Sequence, residues 1–271
     1  MKKQIRQCFF IAIVAAMLPI IVFAQAKKEH KIVGEEVTYT SNGVTLKGYV
    51  AYDADKKGKR PAIVVVPEWW GNTEYTKKRA RMLAELGYIA IAADMYGDGK
   101  IADNPQQAQE YATPFYQDAY VGNKRILAAV SKLKEYPQTD GSKIAAIGYC
   151  FGGSMVLNAA KLGDDLRGVV SFHGGLGNTA PATRGSVKGK ILVCNGAADK
   201  FVSGIDIVKF CKNLDTLGVS YQFVNYANAL HAFTNPESTA NGKKFNMPIA
   251  YNEAADKKSW ADMKIFFKTI F

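Results

Sequence analysis

The chain has 271 residues, 48% of them hydrophobic, and a formal net charge of +11. Its length, with strand and helix patterns alternating throughout, fits one domain of the size that α/β folds reach. The lysines are scattered rather than interleaved with aromatic residues on one element, so we expect a solvated basic surface and no nucleic-acid partner.

The amino terminus has the pattern of a secretory signal peptide over residues 1–24. Basic residues precede an uncharged apolar stretch at 8–23, and cleavage is expected after Ala24. The alternative is a retained membrane anchor, but the apolar stretch is shorter than the roughly 20 residues that a transmembrane helix needs. We therefore expect an exported protein, periplasmic or secreted, with 25–271 as its single domain and no stable membrane anchor.

Strand and helix patterns follow in alternation. Segments 37–40 and 44–52 flank the turn signal Ser41-Asn42-Gly43 and predict an antiparallel hairpin at one edge of a sheet. The β-branched run at 61–66 is typical of a strand buried on both faces. Because parallel neighbours need crossover connections, the alternation predicts a mostly parallel sheet with helices on both faces. Further strands are predicted at 88–93, 144–147, 167–172, 190–194 and 221–226, and helices at 74–86, 121–136, 154–160, 205–217 and 252–271.

The segment Gly148-Tyr149-Cys150-Phe151-Gly152-Gly153 lies between a predicted strand and a predicted helix. This order is typical of a nucleophile elbow, whose central residue is strained and whose positions two before and two after must lack side chains. Gly148 and Gly152 meet that requirement. The pattern predicts Cys150 as a nucleophile; the alternative is a buried thiol in an ordinary tight turn.

Four reactive side chains, those of Glu68, Cys150, Asp199 and His231, follow predicted strands closely. Ligands of such sheets collect at the carboxyl ends of the strands. The chain order nucleophile, acid, histidine is that of an α/β-hydrolase triad. It predicts His231 as the base that takes the thiol proton and Asp199 as the acid that orients the imidazole.

These assignments have alternatives. His231 could be a loop histidine bonded to a polar neighbour, and His173 also ends a strand but precedes Asp199. Asp94 and Asp98 compete for the acid role, although Asp94 comes too early in the chain and is better explained as bonding its own loop.

A tetrahedral intermediate needs an oxyanion hole, which we assign to the backbone amides of Phe151 and Trp69. No metal or cofactor is expected. Residues 103–120, interrupted by Pro105 and Pro114, are assigned no helix, and whether they form a lid stays open. The predicted wall of a small, largely apolar pocket consists of Trp70, Tyr96, His173 and Phe233.

The exported chain keeps three cysteines, Cys150, Cys194 and Cys211, and an odd number leaves at least one thiol free. Cys194 ends a strand-like run and Cys211 lies in an amphipathic helix pattern. Both are predicted as small core residues, with a disulfide between them as the alternative.

Five segments of the chain form a combined pattern: 67–71, 93–96, 148–153, 196–199 and 231–233. With these segments the chain resembles the dienelactone hydrolase family of α/β-hydrolases over essentially its whole exported part. The resemblance implies a triad of Cys150, Asp199 and His231, and it implies that Glu68 contacts the resting thiol and shifts when substrate arrives.

The chain departs from this family where substrate is bound. Dienelactone hydrolases hold the substrate carboxylate with two arginines, but this chain has Gly97-Asp98-Gly99 and Thr234-Asn235-Pro236 in those regions, with Lys100 as a candidate replacement for one cation. We expect a hydrolase of small uncharged or differently charged esters or lactones, and we leave its oligomeric state open. The alternatives are a non-catalytic protein that binds a small apolar ligand, and thiol redox chemistry at Cys150, for which no C-x-x-C motif is present.

Overall fold

Eight strands form one mixed sheet in the structure, a computed structural model that describes residues 31–177 and 180–271. The signal peptide predicted at 1–24 lies outside these residues. The strands are β1 (Ile32–Ser41), β2 (Val44–Asp53), β3 (Arg60–Val66), β4 (Ile89–Ala92), β5 (Thr139–Tyr149), β6 (Gly168–Phe172), β7 (Lys190–Gly196) and β8 (Tyr221–Tyr226). The helices are α1 (Glu74–Glu85), α2 (Pro105–Gln117), α3 (Ala119–Lys134), α4 (Phe151–Lys161), α5 (Gly204–Leu217), α6 (Ser238–Phe245) and α7 (Glu253–Phe267).

The strands lie in the order β1-β2-β4-β3-β5-β6-β7-β8. β1 pairs with β2 and β2 with β4 in antiparallel fashion, whereas all pairs from β4 onward are parallel. Asn42 and Gly43 join β1 to β2 with φ values of 50° and 77°, and two such residues give a hairpin turn that matches the twist of the strands. The predicted mostly parallel sheet and its amino-terminal edge hairpin are confirmed.

Both faces of the sheet are covered. Along β3, Val64 and Val66 pack into one hydrophobic cluster and Ile63 and Val65 into the other, because successive side chains of a strand point to opposite faces. Side chains of α2, α3, α4 and α5 complete the first cluster, and those of α1 and α7 complete the second. None of the helices in the described part of the chain is long and apolar enough to cross a membrane.

Two helices were not predicted. α2 occupies the segment in which two prolines are read as interruptions, yet Pro105 stands at its first turn, where a missing amide costs nothing. The Asn104 side chain caps this helix by accepting a hydrogen bond of 3.0 Å from the amide of Gln107. The second unpredicted helix, α6, has only eight residues and follows the loop after His231.

Candidate active site

The turn from β5 into α4 holds Cys150 in a strained conformation. Its φ of 52° and ψ of −114° lie in a region that L-residues rarely occupy, and α4 begins at the next residue. Such strain persists only where the surroundings impose it, and it is concentrated at functional sites. The turn presents the half-buried Cys150 side chain at the carboxyl end of β5.

Close backbone contacts explain the two glycines of this turn. A Cβ atom at Gly148 would lie 2.0 Å from the carbonyl oxygen of Gly152, and one at Gly152 would lie 2.3 Å from that of Val66. Neither contact is possible for a real side chain, so the elbow requires glycine at both positions.

The structure brings together the three residues of the predicted triad. The Nε2 atom of His231 lies 3.0 Å from Cys150 Sγ, and its Nδ1 atom lies 2.8 Å from Asp199 Oδ2. The other Asp199 oxygen accepts a hydrogen bond of 2.8 Å from the amide of Phe201, which fixes the carboxylate. Asp199 follows β7 and His231 follows β8, so adjacent strands deliver the acid and the histidine to the same edge.

Asp199 and Cys150 favour a positive charge on His231. Burial alone lowers the pKa of the imidazole, but the interactions with Cys150 and Asp199 outweigh it, and the pKa of His231 is raised above its ordinary value. His231 Nδ1 donates a hydrogen bond to the Asp199 carboxylate, so Nε2 is left facing the thiol. The arrangement suits transfer of the Sγ proton to His231.

Glu68 lies buried in the loop after β3, with 3% of its surface exposed. Burial raises the pKa of its carboxyl to about 7, against the opposing effects of Asn235 and His231. Among the described residues its hydrogen-bond partner is Asn235, whose Nδ2 atom donates to Oε2 over 2.7 Å. The expected contact of Glu68 with the resting thiol is therefore not the arrangement seen, since the thiol faces His231 instead.

A cavity of about 500 Å³ opens over Cys150 and His231. The predicted wall residue Trp70 lines it, and so do Trp69 and Phe151, the two residues assigned to the oxyanion hole. The lining residues within the described ranges include no lysine or arginine. The candidate replacement cation, Lys100, instead lies over the ring of Tyr111 at 5.9 Å. The lining residues that the sequence analysis did not identify include Gln109, Tyr116, Ser154, Phe201, Met247 and Ile249.

Three predicted wall residues, Tyr96, His173 and Phe233, do not line this cavity. His173 and Phe233 are fully buried behind the wall. The hydroxyl of Tyr96 donates a hydrogen bond of 2.8 Å to the carbonyl of Trp69. Position at a strand end places these residues at the correct edge of the sheet but does not decide which of them reach the open surface.

Asp94, a competing candidate for the acid role, has partners in its own loop. Its carboxylate accepts hydrogen bonds from the amides of Tyr96 and Gly97, as expected from the sequence. Cys194 and Cys211 are separate free thiols, as is Cys150, in the part of the chain that the structure describes. No group of three or more potential metal ligands occurs among these residues.

The sequence pattern of the dienelactone hydrolase family matches residues 46–271. The chain belongs to the dienelactone hydrolase family. A relative from Aquifex aeolicus, named as a candidate carboxymethylenebutenolidase, is 30% identical over 207 residues, which cover 74% of this chain and 87% of that protein. Membership places this dienelactone hydrolase homologue among hydrolases of carboxylic esters and lactones.

Two solved structures share the fold of this dienelactone hydrolase homologue closely. One is m3DLH, with 35% identity and a TM-score of 0.84. The other is a dienelactone hydrolase-like promiscuous phosphotriesterase from metagenomic libraries, with 34% identity and a TM-score of 0.82. Each likeness covers 89% of this chain and 99% of the other. The α/β-hydrolase fold expected from the sequence is confirmed.

Proposed function

We propose that this protein hydrolyses uncharged carboxylic esters or lactones of small molecules through a Cys150-His231-Asp199 triad and a thioester intermediate. The observation that carries the proposal is the continuous chain of hydrogen-bond contacts from Cys150 Sγ through His231 to Asp199 at the floor of an open cavity. A thiol needs a base within this distance to become a nucleophile, and the base needs an acid to orient it.

In the acylation step, His231 Nε2 takes the proton from Cys150 Sγ, and the sulfur attacks the carbonyl carbon. The resulting oxyanion would accept hydrogen bonds from the amides of Phe151 and Trp69. Phe151 is the first residue of α4, so its amide has no acceptor within the helix, and both residues line the cavity. His231 then gives its proton to the departing alkoxide, which leaves Cys150 as a thioester.

Deacylation reverses these roles. His231 Nε2 takes a proton from a water molecule, whose oxygen attacks the thioester carbonyl, and the Cys150 thiolate leaves and regains its proton. In a lactone the alcohol and the acid stay on one molecule, so the product is a hydroxy acid.

The cavity supports uncharged substrates. Aromatic and aliphatic side chains dominate its lining, and no lysine or arginine of the described chain lines it. A substrate carboxylate would lose its hydration without gaining a lysine or arginine partner, which is costly. Neutral groups incur no such penalty.

The test is the hydrolysis of p-nitrophenyl acetate by wild-type protein and by Cys150→Ala. Cys211→Ala is the matched control, because it removes a second half-buried free thiol on α5. We expect turnover by the wild type and by Cys211→Ala, and its loss in Cys150→Ala. Full turnover by Cys150→Ala would refute the mechanism, whereas an inert wild type with an unreactive Cys150 would favour the binding protein that the sequence analysis left as an alternative.

A second candidate activity is the hydrolysis of phosphotriesters. The relative at 34% identity is titled a promiscuous phosphotriesterase, and a phosphotriester carries no charge, in keeping with the lining of the cavity. Release of p-nitrophenol from a dialkyl p-nitrophenyl phosphate by wild type but not by Cys150→Ala would support it. Absence of release would restrict the proposal to carboxylic substrates.

We also propose that the protein is exported and that residues 1–24 are removed. The basic start and the apolar stretch at 8–23 support this. Amino-terminal sequencing of the protein recovered from the periplasm or medium should begin at Gln25, and a cell-retained protein that starts at Met1 would refute it.

A further inference from the structure

A buried chain of polar contacts lies directly behind the elbow. The amide of Cys150 donates a hydrogen bond of 3.1 Å to His173 Nδ1, while it also lies 3.0 Å from the carbonyl oxygen of Phe172. On its other side, His173 Nε2 lies 2.7 Å from Thr234 Oγ1. His173 is 0% exposed and Thr234 is 1% exposed. The imidazole of His173 thus joins the loop of the nucleophile to the loop that carries His231.

The geometry defines the protonation state of His173. A nitrogen that accepts a hydrogen bond from an amide carries no proton, so Nδ1 is unprotonated and the proton resides on Nε2. Nε2 therefore donates to Thr234 Oγ1, and the ring is neutral. Burial, followed by the nearby His231 and Arg79, lowers the pKa of His173 well below its ordinary value, in agreement with this assignment.

Thr234 is itself held in place by hydrogen bonds to α1. Its carbonyl accepts a hydrogen bond of 2.6 Å from Arg79 Nη2, and its hydroxyl lies 2.6 Å from the hydroxyl of Tyr75, so α1 holds it twice. Arg79 is paired in turn with Asp256 of α7. Thr234 follows His231 by three residues through a tight turn in which Ala232 has a φ of 57°. A shift of Thr234 would therefore move His231.

We propose that His173 is a positioning residue, which ties the Cys150 elbow to Thr234 and thereby fixes the separation of Cys150 Sγ and His231 Nε2. The inference rests on the proposed function, because that separation matters only if the two atoms exchange a proton. His173 has no exposed surface and is not among the residues that line the cavity, so its part is to position other groups and not to contact a ligand there. Its ring instead packs edge to face against His231, with ring centres 5.4 Å apart.

The first test is Thr234→Val, which keeps the shape of the side chain and removes the acceptor for His173 Nε2 together with the partner of the Tyr75 hydroxyl. Thr139→Val is the matched control, since Thr139 is also buried, with 5% of its surface exposed, at the far end of β5, and its hydroxyl donates to the carbonyl of Leu133. We expect kcat for p-nitrophenyl acetate to fall about tenfold in Thr234→Val with KM little changed, because the link from the Cys150 loop to the His231 loop is broken while the cavity wall is kept. Thr139→Val should lower the melting temperature about as much as Thr234→Val does, but it should keep the wild-type kcat.

The second test compares His173→Ala with His173→Asn. An asparagine oxygen can take the place of Nδ1 and accept from the Cys150 amide, so His173→Asn should recover part of the roughly 100-fold loss of kcat expected for His173→Ala. A residue that served packing alone would give equal losses in both. If His173→Ala does not fold, the comparison of kcat between Thr234→Val and Thr139→Val tests the role of His173.

The rate at which iodoacetamide alkylates Cys150, mapped by mass spectrometry, separates the two proposals. It reports the Cys150–His231 pair without turnover and should fall in Thr234→Val but not in Thr139→Val. Equal alkylation and equal kcat in those two variants would overturn the role of His173. A wild type that is alkylated rapidly but hydrolyses nothing would instead count against the proposed function alone.

Discussion

Glu68 makes the stability of this protein depend on pH. Its carboxyl is buried and its pKa is raised to about 7 from an ordinary value of 4.5, chiefly because burial disfavours the charged form. Glu68→Gln keeps the shape and leaves a carbonyl oxygen that can accept from Asn235, but it removes the ionisation. The variant therefore isolates the cost of the buried charge.

The sign and size follow from the two pKa values. Below 4.5 the carboxyl is protonated in folded and unfolded chains alike, so it carries no penalty. As the pH rises from 4.5 through about 7, the unfolded chain releases the proton first, and wild type loses stability relative to the variant. At about 1.4 kcal/mol per pH unit, the loss amounts to about 3 kcal/mol and is complete above the folded pKa.

The measurement is urea unfolding of wild type and Glu68→Gln at about pH 4 and about pH 9, outside the titration window at both ends. The difference in unfolding free energy between the two proteins should change by about 3 kcal/mol in favour of the variant at the higher pH. Glu85→Gln, on the exposed side of α1, is the control and should show no such change. Parallel stability curves for wild type and Glu68→Gln would show that Glu68 titrates normally and refute the reasoning.

Three further outcomes are expected. Asp199→Asn should lower kcat for p-nitrophenyl acetate about 1000-fold without a large change in melting temperature, and a loss below tenfold would argue against its role in orienting the base. Trp70 lines both the main cavity and a neighbouring cavity of about 140 Å³, so Trp70→Ala should join them and raise kcat/KM for p-nitrophenyl octanoate relative to acetate about tenfold. Phe201→Ala, which changes another side of the main cavity, is the control. An unchanged ratio in Trp70→Ala would contradict a wall shared by the two cavities. Gly148→Ala would place a Cβ atom 2.0 Å from the Gly152 carbonyl and should destabilise the fold by more than about 3 kcal/mol, so a wild-type urea midpoint would show that the elbow can relax.

The sheet was predictable because its strands carry local signals. The run at 61–66 is apolar throughout, and it becomes β3, buried on both faces. The turn at Asn42-Gly43 specifies the edge hairpin without reference to the rest of the chain. The sequence of α2 contains opposing signals, because Pro105 favours a helix start and Pro114 disfavours a helix interior. The helix forms because α2 packs on the core, and this packing cannot be predicted from the local sequence.

The triad of the candidate site was predictable from the sequence, whereas most of the cavity wall was not. Chain order and strand ends were enough to place Cys150, Asp199 and His231 at one edge, where the structure brings them within hydrogen-bond distance. The cavity wall was less accessible, because Gln109 and Tyr116 come from α2, which the sequence analysis left without structure. The behaviour of His173 depends on a neighbour 61 positions away, and no local pattern identifies Thr234 as that neighbour.

The hydrogen-bond partner of Glu68 bears on the charge of the cavity. The resemblance implies an arginine just past the histidine, and Asn235 in that region gives Glu68 a hydrogen bond without a charge. A guanidinium beside this carboxylate would oppose burial and lower its pKa, as an opposite charge does within a few ångströms. With asparagine there, burial prevails and the carboxyl is half protonated near neutral pH. A half-protonated Glu68 leaves less negative charge beside the cavity than a full carboxylate would, and the cavity lining contains no lysine or arginine among the described residues, so both features agree with the neutral substrates that we propose.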